Sequence, residues 1–217
     1  MKSLTYLLIA ILFLTTSALQ AQPFRKEVDQ FKKEDSLKTP PVNAVLFIGS
    51  SSFTIWKDMA DYFPTHTVFN RAFGGSTLLD QLYYADEVIF KYQPKQIILY
   101  CGENDLASSD AVNADSVYNR FVRLFTAIRN KWPKMPFLYV SMKPSPSRKK
   151  YMPIMQDAND RIKLFLEKNK RAEFIDVYHK MLNEDGSFKP EIYLSDSLHM
   201  NKKGYAIWQP IIEKYLK

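Results

Sequence analysis

The sequence predicts an α/β domain of three layers, a parallel sheet with helices on both faces. Three observations carry this. Five short apolar runs lack the in-and-out alternation of a half-exposed strand, so each reads as a strand buried on both faces. Between them lie segments whose apolar residues recur at helical spacing, the order expected of βαβ units. The chain has 217 residues, enough for one such domain and short for two.

Residues 1–21 precede the expected fold. Lys2 gives a positive start, Leu7 to Leu14 is a compact apolar run, and small and polar residues follow up to Ala21-Gln22. This is the pattern of a signal peptide cut after Ala21, with Leu19 at the −3 position. The run is short for a membrane span, which disfavours a retained anchor. No cysteine lies near the cut, which argues against a lipid-modified N-terminus. The expected product is periplasmic or extracellular, without stable membrane insertion. The only cysteine is Cys101, so no internal disulfide is available and packing must stabilise the fold.

Residues 22–217 then read as a single domain. Residues 23–38 are polar, with Phe24, Val28 and Phe31 on one helical face, and Pro40-Pro41 ends this leading helix. The strand candidates are 44–48, closed by Gly49, then 67–70, 96–101, 136–142 and 172–177. The first helical pattern, 78–92, carries Leu78, Leu82, Ala85 and Ile89 on one face. The second, 111–132, carries Val117, Phe121, Leu124, Phe125 and Ile128. The third, 151–169, carries Ile154, Ala158, Ile162 and Phe165, and residues 202–216 close the chain.

Composition narrows the function classes a little. Apolar residues make up 46% and charged residues 24%, ordinary for a globular protein. Thirty Lys+Arg against 23 Asp+Glu leave +7, a moderate excess that could attract anions. There is no long basic run and no nucleic-acid motif, so a solvated basic surface is the favoured reading and no nucleic-acid partner is expected.

In an open parallel sheet, ligands bind beyond the carboxyl ends of the strands. Four segments fall there. Gly49-Ser50-Ser51-Ser52-Phe53 follows the first strand, where a glycine permits a tight turn and a serine meets free N–H groups at a helix start. Helix capping explains that serine equally well. Asn70-Arg71-Ala72-Phe73-Gly74-Gly75-Ser76-Thr77 follows the second. Its paired glycines let a backbone N–H approach a ligand, or it is an ordinary loop with a helix cap. Gly102-Glu103-Asn104-Asp105 follows the third, where the Asn104 amide could donate to an oxyanion or form an Asx turn. Asp196-Ser197-Leu198-His199 precedes the last helix, and a carboxylate three residues before a histidine can reach its second ring nitrogen. Each bland reading is reasonable alone; four such segments at one sheet edge are harder to explain that way.

These blocks, in this order, resemble the SGNH (GDSL-type) hydrolase superfamily. The likeness runs through Phe47-Ile-Gly-Ser-Ser-Ser52 with Trp56, Asn70-Arg-Ala-Phe-Gly-Gly-Ser76 and Gly102-Glu-Asn-Asp105. It continues through Lys143-Pro-Ser-Pro146 and Asp196-Ser-Leu-His-Met-Asn201, with Gly204-Tyr205. The resemblance implies a flavodoxin-like fold and a secreted enzyme that cleaves carboxylic esters, acyl or acetyl. It maps Ser51 to the nucleophile, His199 to the base and Asp196 to the third triad member. The N–H groups of Ser51 and Gly75, with the Asn104 side chain, map to the oxyanion hole. One departure stands out: the family's Gly-Asp-Ser is here Gly49-Ser50-Ser51, which bears on substrate range more than on mechanism.

The resemblance implies no cofactor, and the scattered His66, His179 and His199 have no metal-ligand spacing. A Gly-x-Ser-x-Gly elbow is missing, which argues against the α/β-hydrolase class. The competing reading is a non-catalytic glycan- or lipid-binding protein that kept the fold. Acetylated glycans, lysophospholipids and short-chain esters all suit the triad as substrates.

Overall fold

A computed structural model describes residues 22–217. The expected signal peptide, residues 1–21, lies outside the described residues. Five strands form one sheet: β1 (Val45–Gly49), β2 (Val68–Asn70), β3 (Gln96–Tyr100), β4 (Phe137–Val140) and β5 (Ala172–Ile175). Their order is β2-β1-β3-β4-β5, and every pair is parallel. The predicted three-layer, flavodoxin-like α/β/α architecture is therefore the one observed.

The absence of alternation in the strand sequences has a direct cause. Successive residues point to opposite faces of a sheet, and here each face has its own core. Leu46 and Ile48, Ile97 and Leu99, Phe137 and Tyr139 enter one core. Val45 and Phe47, Ile98 and Tyr100, Leu138 and Val140 enter the other. Both sides of β1, β3 and β4 must be apolar, which gives continuous runs. The edge strand β2 is only half-buried.

The helices are α1 (Arg25–Leu37), α2 (Ser51–Thr54), α3 (Met59–Tyr62), α4 (Leu78–Tyr83), α5 (Glu103–Ser108), α6 (Ala114–Lys131), α7 (Met152–Glu167) and α8 (Lys202–Glu213). The sequence pattern resolves neither α3 nor α5, each too short to show a period. Phe24 departs from its expected place on the α1 face: it precedes the helix with φ 64°. The 78–92 helix is α-helical only to Tyr83, then continues as a π-helical turn, Asp86–Phe90, with both Val88 and Ile89 buried in the core. α6 starts at Ala114 because Asn113 and Ser116 form a capping box. Among the described residues no helix is long and apolar enough to cross a membrane.

The order 2-1-3 marks the switch point: from β1 the chain first moves outward to β2, then returns to add β3 on the other side. A crevice opens at such a point between the carboxyl ends of the two central strands. Gly49 and Tyr100, the last residues of β1 and β3, are register partners there.

Candidate active site

The turn after β1 is held by its first residue. Gly49 has φ +127°, and a Cβ there would sit 1.9 Å from the Tyr100 carbonyl oxygen. Only glycine fits so close to the neighbouring strand. The Gly49 carbonyl accepts from Phe73 N–H at 2.9 Å, Ser76 Oγ at 3.2 Å and Gln81 Nε2 at 3.0 Å. The second block is thus tied directly to the end of β1.

The three serines that follow divide by burial. Ser50 and Ser52 are buried, at 3% and 1% exposure, while Ser51 is half-buried and reachable. Ser50 is the N-cap of α2, yet its side chain makes no capping bond. Capping therefore does not account for Ser51, which is already inside the helical turn. The Ser50 position, acidic in the family pattern, is sealed from solvent, with its N–H on the Tyr100 carbonyl at 2.9 Å.

The glycine pair lies against Ser51. A Cβ on Gly74 would be 3.9 Å from Ser51 Cβ, and Gly75 has φ +83°, a conformation that favours glycine. The Asn104 amide donates to the Ser76 carbonyl at 3.1 Å. That bond uses one of its two amide hydrogens and aims the other. Asn104 sits in the first turn of α5, so the Asx-turn reading does not hold. Neither Ser51 N–H nor Gly75 N–H is bonded to another described residue. Three donors thus remain unspent at one edge.

In the loop before α8, Asp196 Oδ2 lies 2.6 Å from His199 Nδ1. Asp196 Oδ1 accepts the N–H groups of Leu198 and His199, each at 2.9 Å. Desolvation pushes this carboxyl up, but the bonds from the His199 ring and the two N–H groups outweigh it and hold the group at about 2. An ionised Asp196 only accepts, so on a neutral ring the hydrogen sits on Nδ1 and Nε2 keeps its lone pair.

The loop bearing this pair is closed by a Tyr193–Met200 bridge and by Leu194 N–H on the His199 carbonyl at 2.7 Å. Asn201 caps α8 with its oxygen, while its amide holds the Glu191 and Tyr193 carbonyls. The helix is then fixed over the serine turn. Trp208 packs 4.9 Å from the Tyr100 ring and Tyr205 stacks on Trp56 at 4.5 Å. Tyr205 Oη donates to the Ser52 carbonyl at 2.8 Å. The structure joins Asp196 to His199 directly, and their loop to Ser51 through Tyr205 and the helix start.

Several supporting residues carry no recognisable role in the sequence. Asp105 is fully buried, accepting Leu78 N–H at 3.0 Å and Arg120 at 2.9 Å. It binds the starts of α4 and α5 together, and its burial raises its carboxyl above the ordinary range. Lys143, after β4, pairs with Glu103 at 3.3 Å, both buried. This pair anchors the residue next to Asn104. Glu103, Asp105 and Lys143 belong to the quoted blocks while Leu78 and Arg120 do not, and contacts across the sheet edge give all five a function. No group of three or more His, Cys, Asp or Glu side chains is placed to share a metal ion among the described residues.

Residues 49–207 match the model of the GDSL-like lipase/acylhydrolase family, and the chain belongs to that family. Membership supports ester hydrolysis as the reaction class. Among solved structures, a GDSL-like lipase from Bacteroides thetaiotaomicron is 23% identical with a TM-score of 0.73, covering 86% of this chain and 95% of that one. A protein provisionally described as an acylhydrolase, from Bacteroides fragilis, is 20% identical with a TM-score of 0.74, covering 86% and 93%. A mutant of an acetyl-xylooligosaccharide esterase from Geobacillus is 13% identical with a TM-score of 0.64, covering 80% and 94%. At these identities the likeness is one of fold. No match was found among curated proteins.

Proposed function

We propose that the protein is an exported serine ester hydrolase in which Ser51 attacks the ester carbonyl. The observation that carries this reading is the Asp196–His199 pair, 2.6 Å apart on a loop whose helix is bonded to the serine turn. His199 Nε2 takes the Ser51 proton as Oγ bonds to the carbonyl carbon, and Asp196 stabilises the resulting imidazolium. The oxyanion that forms is met by Ser51 N–H, Gly75 N–H and the free Asn104 amide hydrogen. Return of the proton to the leaving alkoxide releases the alcohol and leaves an acyl-serine. Water, deprotonated by the same histidine, then frees the acid and restores Ser51. The charged start and apolar run within residues 1–21 support export before this chemistry.

Labelling with a fluorophosphonate tests the assignment. The adduct should map to Ser51 by peptide mass spectrometry, and heat-unfolded protein should not react. Labelling at Ser50 or Ser52, or none alongside absent ester turnover, would overturn it.

A further inference from the structure

The segment that leaves β4 touches both halves of the candidate site. Ile97 pairs with Phe137 and Leu99 with Tyr139 across β3 and β4, an offset of 40 residues. Glu103 and Lys143 keep that offset beyond the strand ends. Lys143 Nζ lies 3.3 Å from each Glu103 carboxylate oxygen, and both side chains are buried. Glu103 opens the first turn of α5, and the next residue is Asn104, whose amide is bonded to the Ser76 carbonyl.

A little further on, the same segment meets the histidine loop. Tyr193 Oη donates to the Pro144 carbonyl at 2.7 Å, and Ser147 N–H donates to the Ser197 carbonyl at 3.1 Å. Ser197 stands between Asp196 and His199 with φ 55°, a left-handed conformation that serine rarely adopts. The Ser147 bond thus holds the left-handed residue of the turn that returns Asp196 to the His199 ring. Burial first, and then the nearby Glu103 carboxylate, push the Tyr193 hydroxyl up, so it stays protonated and remains a donor.

A buried ion pair adds little net stability, because the cost of desolvation offsets the attraction. What it fixes is the relative place of the two segments that carry the charges. We propose that residues 143–147 are a strap coupling the oxyanion donor to the base, with Lys143 and Tyr193 as positioning residues. Lys143 sets the Asn104 turn through Glu103, and Tyr193 sets the histidine loop through Pro144. This rests on the hydrolase reading above.

The test measures kcat and KM on p-nitrophenyl acetate, together with Tm, for the wild type, Lys143→Met/Glu103→Met and Tyr193→Phe. Replacing both charges should leave Tm near the wild-type value. It should lower kcat about tenfold or more while KM changes by less than about threefold, the mark of misplaced groups. A kcat that merely follows Tm would make the pair a fold contact and overturn the proposal. Tyr193→Phe keeps the ring and asks the same question if the neutral pair does not fold. Combined with Asn104→Ala, it should cost less than the product of the two single losses. Losses that multiply would show that the two ends act separately, and the strap would fall.

The Nδ1–H proton resonance of His199, assigned by its loss in His199→Ala, reads the strap without turnover. It should be sharp in the wild type and broaden in Tyr193→Phe and in the neutral pair. No ester turnover by the wild type, with a resonance that responds to these variants, would sink the hydrolase reading and keep the strap's hold on the loop. Wild-type turnover, with neither kcat nor the resonance moved by the variants, would sink the strap alone.

Discussion

The chain contains two Asp-x-x-His sequences that fold in the same way. Asp196 reaches His199 at 2.6 Å, and Asp176 reaches His179 at 2.8 Å. The second carboxylate oxygen accepts the N–H groups of Leu198 and His199 in the first pair and that of Tyr178 alone in the other. Locally the pairs are near copies; their surroundings are not. The His199 side chain is 23% exposed and that of His179 is 72% exposed. The 196–199 pair leads into α8, which packs over β1 and β3 and bonds the Ser52 carbonyl. The 176–179 pair follows β5, three strands from β1 and hence on the order of 14 Å away. A serine does lie near it, but Ser141 is fully buried and accepts Val177 N–H at 3.0 Å. An aspartate–histidine hydrogen bond is therefore a product of local spacing. Its use as a base depends on which strand end it faces.

Substituting both histidines breaks or sharpens this contrast most strongly. His199→Ala should lower kcat/KM on a good ester by several orders of magnitude, close to Ser51→Ala. His179→Ala should change it by less than about twofold. The Ser51→Ala/His199→Ala double variant should be little worse than either single one, because nucleophile and base act as a unit. Multiplicative losses, or equal losses at the two histidines, would end the triad assignment.

The oxyanion side gives the next effect. Asn104→Ala should reduce kcat by roughly 10²–10³-fold with little change in Tm. Loss of Tm in proportion to activity would instead make the Asn104 bond to the Ser76 carbonyl a fold contact.

The aspartates come third. Asp196→Asn should cost activity but leave more than His199→Ala does, since the closed loop also holds the ring. Asp176→Asn should leave kcat/KM within about twofold. Acid titration tests the same pair through stability. The Asp196 carboxyl is held at about 2, below its ordinary 3.8. A depressed carboxyl contributes stability that is full above the unfolded value and lost as pH falls through the folded one. The Tm advantage of wild type over Asp196→Asn should therefore persist above about pH 4 and shrink between there and pH 2. An advantage independent of pH would contradict the depressed Asp196 carboxyl.

The smallest effect belongs to the link between loop and nucleophile. Tyr205→Phe leaves the Ser52 carbonyl without its donor and should cost about 1–3 kcal/mol in stability. If α8 positions His199 through that contact, kcat should fall more than KM changes. A loss confined to Tm would show that the packing of Trp208 on Tyr100 is enough.

The sequence by itself determined the layered α/β architecture, because a strand buried on both faces has to be apolar throughout and the runs at β1, β3 and β4 are. It also determined the local devices: the positive-φ glycine that ends β1, the capping box before α6 and the hydrogen bond from His199 to Asp196. All of these act within a few residues or along one element. The tertiary structure decided which of three adjacent serines is reachable, since burial of Ser50 and Ser52 comes from neighbours on β3 and α8. It decided where Phe24 lies, 3.6 Å from where a Gly75 side chain would begin. It alone separates His199 from His179, because a local motif fixes a hydrogen bond and only the order of strands fixes what that bond faces.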